Sequence, residues 1–236
     1  MKKSLILLSV IFVLVFNLAA VAQDEEDYEH DVAEFVVYGG VDVPFGDILE
    51  WSGPSSDAID DIAPTTATEL GAKVGYNMGF DLGYFFAEPL VVGLGFRFSE
   101  YSIDSDENDT VADGLKHRLY NPNIFAKYYP MPTSDFSPYL KANVGLTFLK
   151  FTTWVSNENG DRYRQLAYDP AFSYGIGGGL FLYTADYGGF FVEGNYNYVA
   201  SNTAETEYEG NLYTFDENLS SWEIRGGIRI LIGSGE

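Results

Sequence analysis

The segment GAKVGYNMGFDLGYFF, residues 71–86, alternates along its whole length. Ala72, Val74, Tyr76, Met78, Phe80, Leu82 and Tyr84 are apolar, and between them stand Lys73, Gly75, Asn77, Gly79, Asp81 and Gly83. A period of two sustained over this distance predicts a two-faced β-strand. The pattern recurs in eight strand-like segments, at 34–43, 71–86, 90–103, 116–129, 139–152, 171–184, 190–200 and 219–233. No helical period competes over a long window. The connections alternate long and short: 44–70, 87–89, 104–115, 130–138, 153–170, 185–189 and 201–218. Turn formers mark the short ones, in Ala87-Glu88-Pro89, Met131-Pro132-Thr133-Ser134-Asp135 and Asp186-Tyr187-Gly188-Gly189. An antiparallel meander is predicted, with short turns at one end and long loops at the other.

Alternation does not say which face is inside. A soluble barrel is apolar within and polar without, and a membrane-spanning barrel is the reverse. Glycine decides the matter. Gly75, Gly79, Gly83, Gly93, Gly95, Gly145, Gly175, Gly177, Gly179 and Gly227 all lie on the polar face. A strand glycine costs roughly 0.5–1 kcal/mol relative to alanine, and a solvated face offers nothing to offset that. An eight-stranded barrel has an interior only just wide enough to be filled by side chains. There, small residues make room for long ones. The predicted fold is therefore all-β: an eight-stranded antiparallel up-and-down transmembrane β-barrel with its apolar face toward lipid. Leu90, Val92, Leu94, Phe96 and Phe98 are expected outside, as are Leu140, Val144 and Leu146, Phe190 and Val192, and Trp222, Ile224, Ile228 and Ile230. Phe35, Val37, Val41 and Val43 are expected outside in the first strand, with Tyr38 inside. Aromatic residues should ring both ends. Tyr84, Tyr128, Tyr139 and Phe190 lie near the short turns; Phe98, Tyr120, Phe148, Phe172, Tyr198 and Trp222 lie near the long loops.

The inward positions then carry charge. They are Asp42, Lys73, Asp81, Arg97, Lys127, Lys141, Glu193, Glu223, Arg225 and Arg229, six basic and four acidic. Charges removed from water must be paired. An interior ion-pair network that plugs the barrel is expected.

The ends and the composition narrow the setting. MKKSLILLSVIFVLVFNLAAVAQ has a basic n-region, an apolar run from Leu5 to Phe16 and an Ala20-Val21-Ala22 site. Residues 1–22 are predicted to be a secretory signal peptide. That leaves 236 − 22 = 214 residues, with 23–33 an acidic, unstructured segment and 34–236 one barrel domain. There is no cysteine, so neither disulfides nor a thiolate metal site is expected. The formal charge of −22 falls to −24 without Lys2 and Lys3. Such a chain is repelled by phosphate backbones, so no nucleic-acid partner is expected. The acidic stretches DSDEND (104–109) and ETEYEG (205–210) fall in long connections, where they would attract divalent cations.

Catalytic and ligand motifs fail on inspection. His117 falls near the rim of the fourth strand, with no H-x-S motif beside it, and His30 lies in the acidic leader. A base–nucleophile pair is not legible, and no enzyme activity is expected. DSDEND opens like a calcium loop, but Asp109 and Leu115 stand where glycine and glutamate are required, so no metal site is assigned. GIGGG (175–179) is followed by Leu180 rather than a helix start, so no nucleotide cofactor is implied.

The chain resembles the small outer-membrane β-barrel family, the class of the outer membrane protein A, X and W barrels. The resemblance is carried by YGGVDVPFGD (38–47), GYNMGFDLGYFF (75–86), NIFAKYYP (123–130) with SPYLKANVGLTF (137–148), YGIGGGLF (174–181) and WEIRGGIRILIG (222–233). One departure is the closing ILIGSGE, where the family usually has a terminal aromatic residue. The resemblance implies a bacterial outer-membrane location and contact with membrane lipid and lipopolysaccharide. It implies a structural or surface-interaction role, as adhesin or receptor, with a narrow channel for small or apolar solutes as the alternative.

Overall fold

Eight long antiparallel strands close on themselves in the computed structural model, which describes residues 31–45, 72–87, 89–103, 116–132, 134–155, 162–185, 187–200, 202–208, 211–217 and 219–233. The staves are β1 (Asp31–Phe45), β2 (Ala72–Ala87), β3 (Leu90–Ile103), β4 (Lys116–Tyr128), β5 (Phe136–Val155), β7 (Ala171–Ala185), β8 (Gly188–Val199) and β11 (Ser220–Gly233). Each pairs with its neighbour in the chain, and β11 returns to β1 through Tyr38↔Gly227 and Asp42↔Glu223. Closure removes the open edges that a flat sheet would expose. The short turns lie at one end, together with the start of β1 and the finish of β11, where Asp31 pairs with Gly233. β1 thus begins three residues earlier than its pattern indicated. The signal-peptide region and residues 23–30, like DSDEND, lie outside the described residues.

Three further strands were not legible as such. β6 (Arg162–Ala167) pairs with the outer part of β5, from Lys150↔Ala167 to Val155↔Arg162. β9 (Asn202–Tyr208) and β10 (Asn211–Glu217) form a separate hairpin between β8 and β11. The long connections 153–170 and 201–218 therefore carry strand ladders beyond the barrel. β6 and β7 run along the same edge of β5, interrupted at Pro170, which has no N–H to donate. Pro122 interrupts the β4–β5 ladder likewise, and the Asn121 side-chain amide donates to the Leu146 carbonyl across the gap (3.2 Å).

The side chains are distributed inside out. Leu94, Val192 and Ile224 are 62%, 63% and 69% exposed on the outer surface, whereas Arg97, Glu193 and Arg229 are buried within. Phe80 and Ile228 also face outward. A cylinder with this arrangement spans a membrane. Exposed aromatics mark both ends of the apolar band: Tyr84, Phe86, Phe136 and Phe190 near the short turns, Phe148, Phe172 and Trp222 toward the loops.

Three expected orientations are corrected. Ala72 and Leu90 are buried rather than outward. β2 carries an extra residue relative to β3 between Ala72 and Gly75, and another between Phe85 and Ala87. The first bulge reverses the phase of the alternation, so that Ala72 turns inward, and Leu90 pairs with Ala87 at the second, beside the short turn. Tyr139, expected in the outer ring, points inward and is buried. It joins Val36, Tyr38, Val91, Phe125, Tyr129, Phe181 and Phe191 in an apolar cluster inside the barrel.

The predicted crowding at the glycines is visible atom by atom. A Cβ on Gly79 would stand 2.5 Å from the Tyr38 hydroxyl, and one on Gly95 2.6 Å from Asp81 Oδ1. On the outward Gly194 the nearest atom would be 3.9 Å away.

Candidate functional site

Among the described residues, the interior holds the largest cluster of charged side chains. Nearest the short turns, Glu34 accepts hydrogen bonds from Lys127 Nζ (2.7 Å), Arg229 Nε (2.6 Å) and the Tyr129 hydroxyl (3.2 Å). Asp81 accepts from Lys141 Nζ (2.6 Å) and lies 3.4 Å from Lys127. Glu193 accepts from Arg225, from the Tyr139 hydroxyl (2.7 Å) and from Asn195 (2.6 Å). Glu223 lies 3.3 Å from Arg97 and 3.4 Å from Arg225, and accepts from Asn197 (3.0 Å). Toward the loops, Asp42 accepts from Ser99 (2.6 Å), Tyr101 (3.0 Å) and Ser221 (3.2 Å). The ion pairs form a continuous chain from Glu34 through Lys127, Asp81 and Arg225 to Glu223 and Arg97, with Arg225 within 4.0 Å of Asp81.

Aromatic rings hold the cations from their other side. The Arg225 guanidinium lies 3.9 Å from the Tyr38 ring centre, and that of Arg229 lies 4.5 Å from both Tyr129 and Phe181. Lys127 and Lys141 each approach the Phe125 ring to 4.8 Å. Such contacts strengthen when water is excluded. The space for all of this comes largely from β7, whose Gly175, Gly177 and Gly179 present no side chains. A Cβ there would meet Asn143, Asn195 and Tyr139. Residues of β5 and β8 therefore fill the volume that β7 leaves free.

Of the ten residues assigned to the lumen from the sequence, nine are buried there: Asp42, Asp81, Arg97, Lys127, Lys141, Glu193, Glu223, Arg225 and Arg229. Lys73 is not. It is exposed, because the bulge after Ala72 turns the next two side chains outward. Glu34 is the member that the sequence reading missed. It is fully buried and lies at the end of the acidic run QDEEDYEHDVAE, which reads as solvated. The signal was present: Glu34 shares the inward face of β1 with Val36, Tyr38 and Asp42. Exchanging Lys73 for Glu34 changes the charge count. Among the described residues the lumen holds five cations and five carboxylates, none more than 5% exposed. Its formal charge is zero.

His117, the second residue of β4, lies near the loop-side end of the barrel as expected, and it is buried there. Among the described residues no three His, Cys, Asp or Glu side chains are grouped to hold a metal ion.

No protein-family model matches the chain, and no curated protein matches it. Among solved structures, Neisserial surface protein A aligns at 13% identity, with 87% of this chain and 99% of that one covered and a TM-score of 0.51. The attachment invasion locus protein of Yersinia pestis, solved with the heparin analogue sucrose octasulfate, aligns at 13% identity over 84% of this chain and 99% of its own, with a TM-score of 0.42. The outer membrane protein OprG of Pseudomonas aeruginosa aligns at 13% identity over 86% and 99%, with a TM-score of 0.49. At such identities the likeness is one of fold. The chain has the fold of the small eight-stranded barrels of the bacterial outer membrane.

Proposed function

We propose that this chain is a closed outer-membrane barrel that anchors acidic surface loops, with a structural or surface-interaction role and no conducting lumen. The observation that carries the reading is the electroneutral interior. Four of the five carboxylates pair with the five cations, the fifth, Asp42, is held by three hydroxyls, and rings back the cations on the short-turn side. A water-filled pore would leave such side chains solvated, with little reason to match in number. The strand ladders beyond the barrel, β5–β6 and β9–β10, support a display role. They continue the chain in paired strands within the long connections, and the acidity of those connections favours divalent cations and cationic partners over anionic ones. Contact with membrane lipid and lipopolysaccharide follows from the outer apolar surface. Catalysis has no part in this reading.

The decisive measurement is electrical. Purified protein reconstituted in planar bilayers should give no steady single-channel conductance. Large, long-lived current steps in the wild type would overturn the plugged barrel and favour the narrow channel.

A further inference from the structure

Above the loop-side aromatic ring, the outer surface carries a row of charge. Phe98, Tyr120 and Phe148 stand opposite one another across β3, β4 and β5. Two residues further toward the loops, in the same strands and on the same face, stand Glu100, Arg118 and Lys150. That displacement is about 7 Å along a strand, which sets the row at headgroup level once the rings sit at the interface. Lys116 lies beside it on β4. Glu100 accepts from Lys116 Nζ (2.5 Å) and from Arg118 Nε (2.8 Å). The Lys116 and Arg118 side chains remain 38% and 36% exposed.

Among the described residues the row holds three cations and one carboxylate, Glu100, which Lys116 and Arg118 share. Arg118 and Lys150 are directly opposed across the β4–β5 ladder, an arrangement that destabilises a sheet when nothing lies between the charges. Lys150 rests over the Tyr120 ring, its ammonium 5.7 Å from the centre. The chain uses cations sparingly: without Lys2 and Lys3 it has 13 − 2 = 11. Five of these neutralise the lumen, and three are placed together on this outward patch, on a protein that is otherwise strongly acidic.

We infer that Lys116, Arg118 and Lys150 form a binding site for the phosphate of a phosphorylated glycolipid headgroup in the outer leaflet. The inference rests on the outer-membrane reading above, because only that leaflet brings such a headgroup to this height. A phosphate between Arg118 and Lys150 removes their mutual repulsion and takes charge-assisted hydrogen bonds from both. Tyr120 and Phe148, one row lower, pack against the upper part of the acyl chains.

The test uses full-length mature protein in zwitterionic nanodiscs, with binding of diphosphoryl lipid A and of enzymatically dephosphorylated lipid A followed by native mass spectrometry. The wild type should bind the phosphorylated form at least about tenfold more tightly, the equivalent of one good charge-assisted contact. Arg118→Gln with Lys150→Gln should abolish that preference, Arg118→Lys with Lys150→Arg should keep it, and inorganic phosphate at matched concentration should not compete. Equal binding of both lipids by the wild type, or an undiminished preference in the glutamine variant, overturns the site. Competition by inorganic phosphate overturns it in favour of a free-anion site. Should the double variant fail to fold, Lys150→Gln alone and the wild-type comparison still decide. Failure of the underlying reading looks different: the wild type would then give no heat-modifiable folded form in bilayers at all.

Discussion

Replacing Glu34 with glutamine removes one negative charge from a lumen that is otherwise balanced. Glu34 is shared by Lys127 and Arg229 at 2.7 and 2.6 Å, and neither cation is more than 3% exposed. At an effective dielectric of ~20, each contact represents about 6 kcal/mol of gross attraction, much of it offset by the desolvation of the partners. Lys127 retains Asp81 at 3.4 Å. For Arg229 the structure shows no second carboxylate partner among the described residues, only the rings of Phe85, Tyr129 and Phe181. Stranding a buried charge in this way destabilises by about 3–5 kcal/mol. With a urea dependence of roughly 2 kcal/mol per molar, the unfolding midpoint should fall by about 2 M. The assay is equilibrium unfolding from lipid vesicles, followed by tryptophan emission, since Trp222 faces lipid in the folded barrel. The Glu34→Gln/Arg229→Met variant restores neutrality and should recover at least half of the loss. A Glu34→Gln penalty below about 1 kcal/mol would mean that these charges are hydrated. A double variant equal to the sum of its singles would mean that they are uncoupled. Either result refutes the argument for a plugged, electroneutral lumen.

Other substitutions separate the two faces. Ile224→Lys places a charge on the lipid surface and should cost roughly 2–4 kcal/mol if the site lies near the bilayer midplane; an unchanged midpoint in vesicles would show that this surface does not meet lipid. Gly95→Val drives a side chain into Asp81 and Asn123 and should destabilise by about 1–3 kcal/mol. Gly194→Val, on the open outer face, should be neutral or mildly stabilising in the same titration, and reversal of that order would undermine the account of the glycine face. Planar-bilayer recordings of Glu34→Gln should stay as silent as those of the wild type, because the aromatic cluster around Phe125, Phe181 and Phe191 is left in place. A steady current in that variant would assign the seal to the ion pairs alone.

The architecture was legible because period-two alternation survives in eight separate segments and the glycines fall on one face. What escaped the pattern has local causes. Ala72 and Lys73 flank a bulge in β2, where one extra residue changes the face without changing the composition, and Leu90 opens β3 opposite a second irregularity at the turn. β6, β9 and β10 lie in the long connections, whose sequences carry no sustained period-two alternation. Tyr139 was misassigned because aromatic residues near a strand end suggest a lipid interface, although alternation with the outward Leu140 already turned it inward. Glu34 is hidden by its neighbours: seven acidic residues lie within the twelve of QDEEDYEHDVAE, and only the last of them is seen to enter the barrel.

That last residue also explains why the lumen can be closed at all. From the alternation alone, the interior holds six cations and four anions, an excess of two positive charges among side chains that are buried. Such an interior would need bound anions or an open aqueous path to be stable. The bulge in β2 removes one cation and the first turn of the pattern in β1 supplies one carboxylate, so two local irregularities together bring the sum to zero. In the proposed closed barrel, this charge balance stabilises the packed interior, and the aromatic cluster around Phe125, Phe181 and Phe191 seals it. A single backbone insertion near Ala72 is therefore tied to the charge balance of a lumen whose Glu34, Lys127 and Arg229 lie at the opposite end of the barrel from the bulge, and the proposal of a closed barrel rests on that balance.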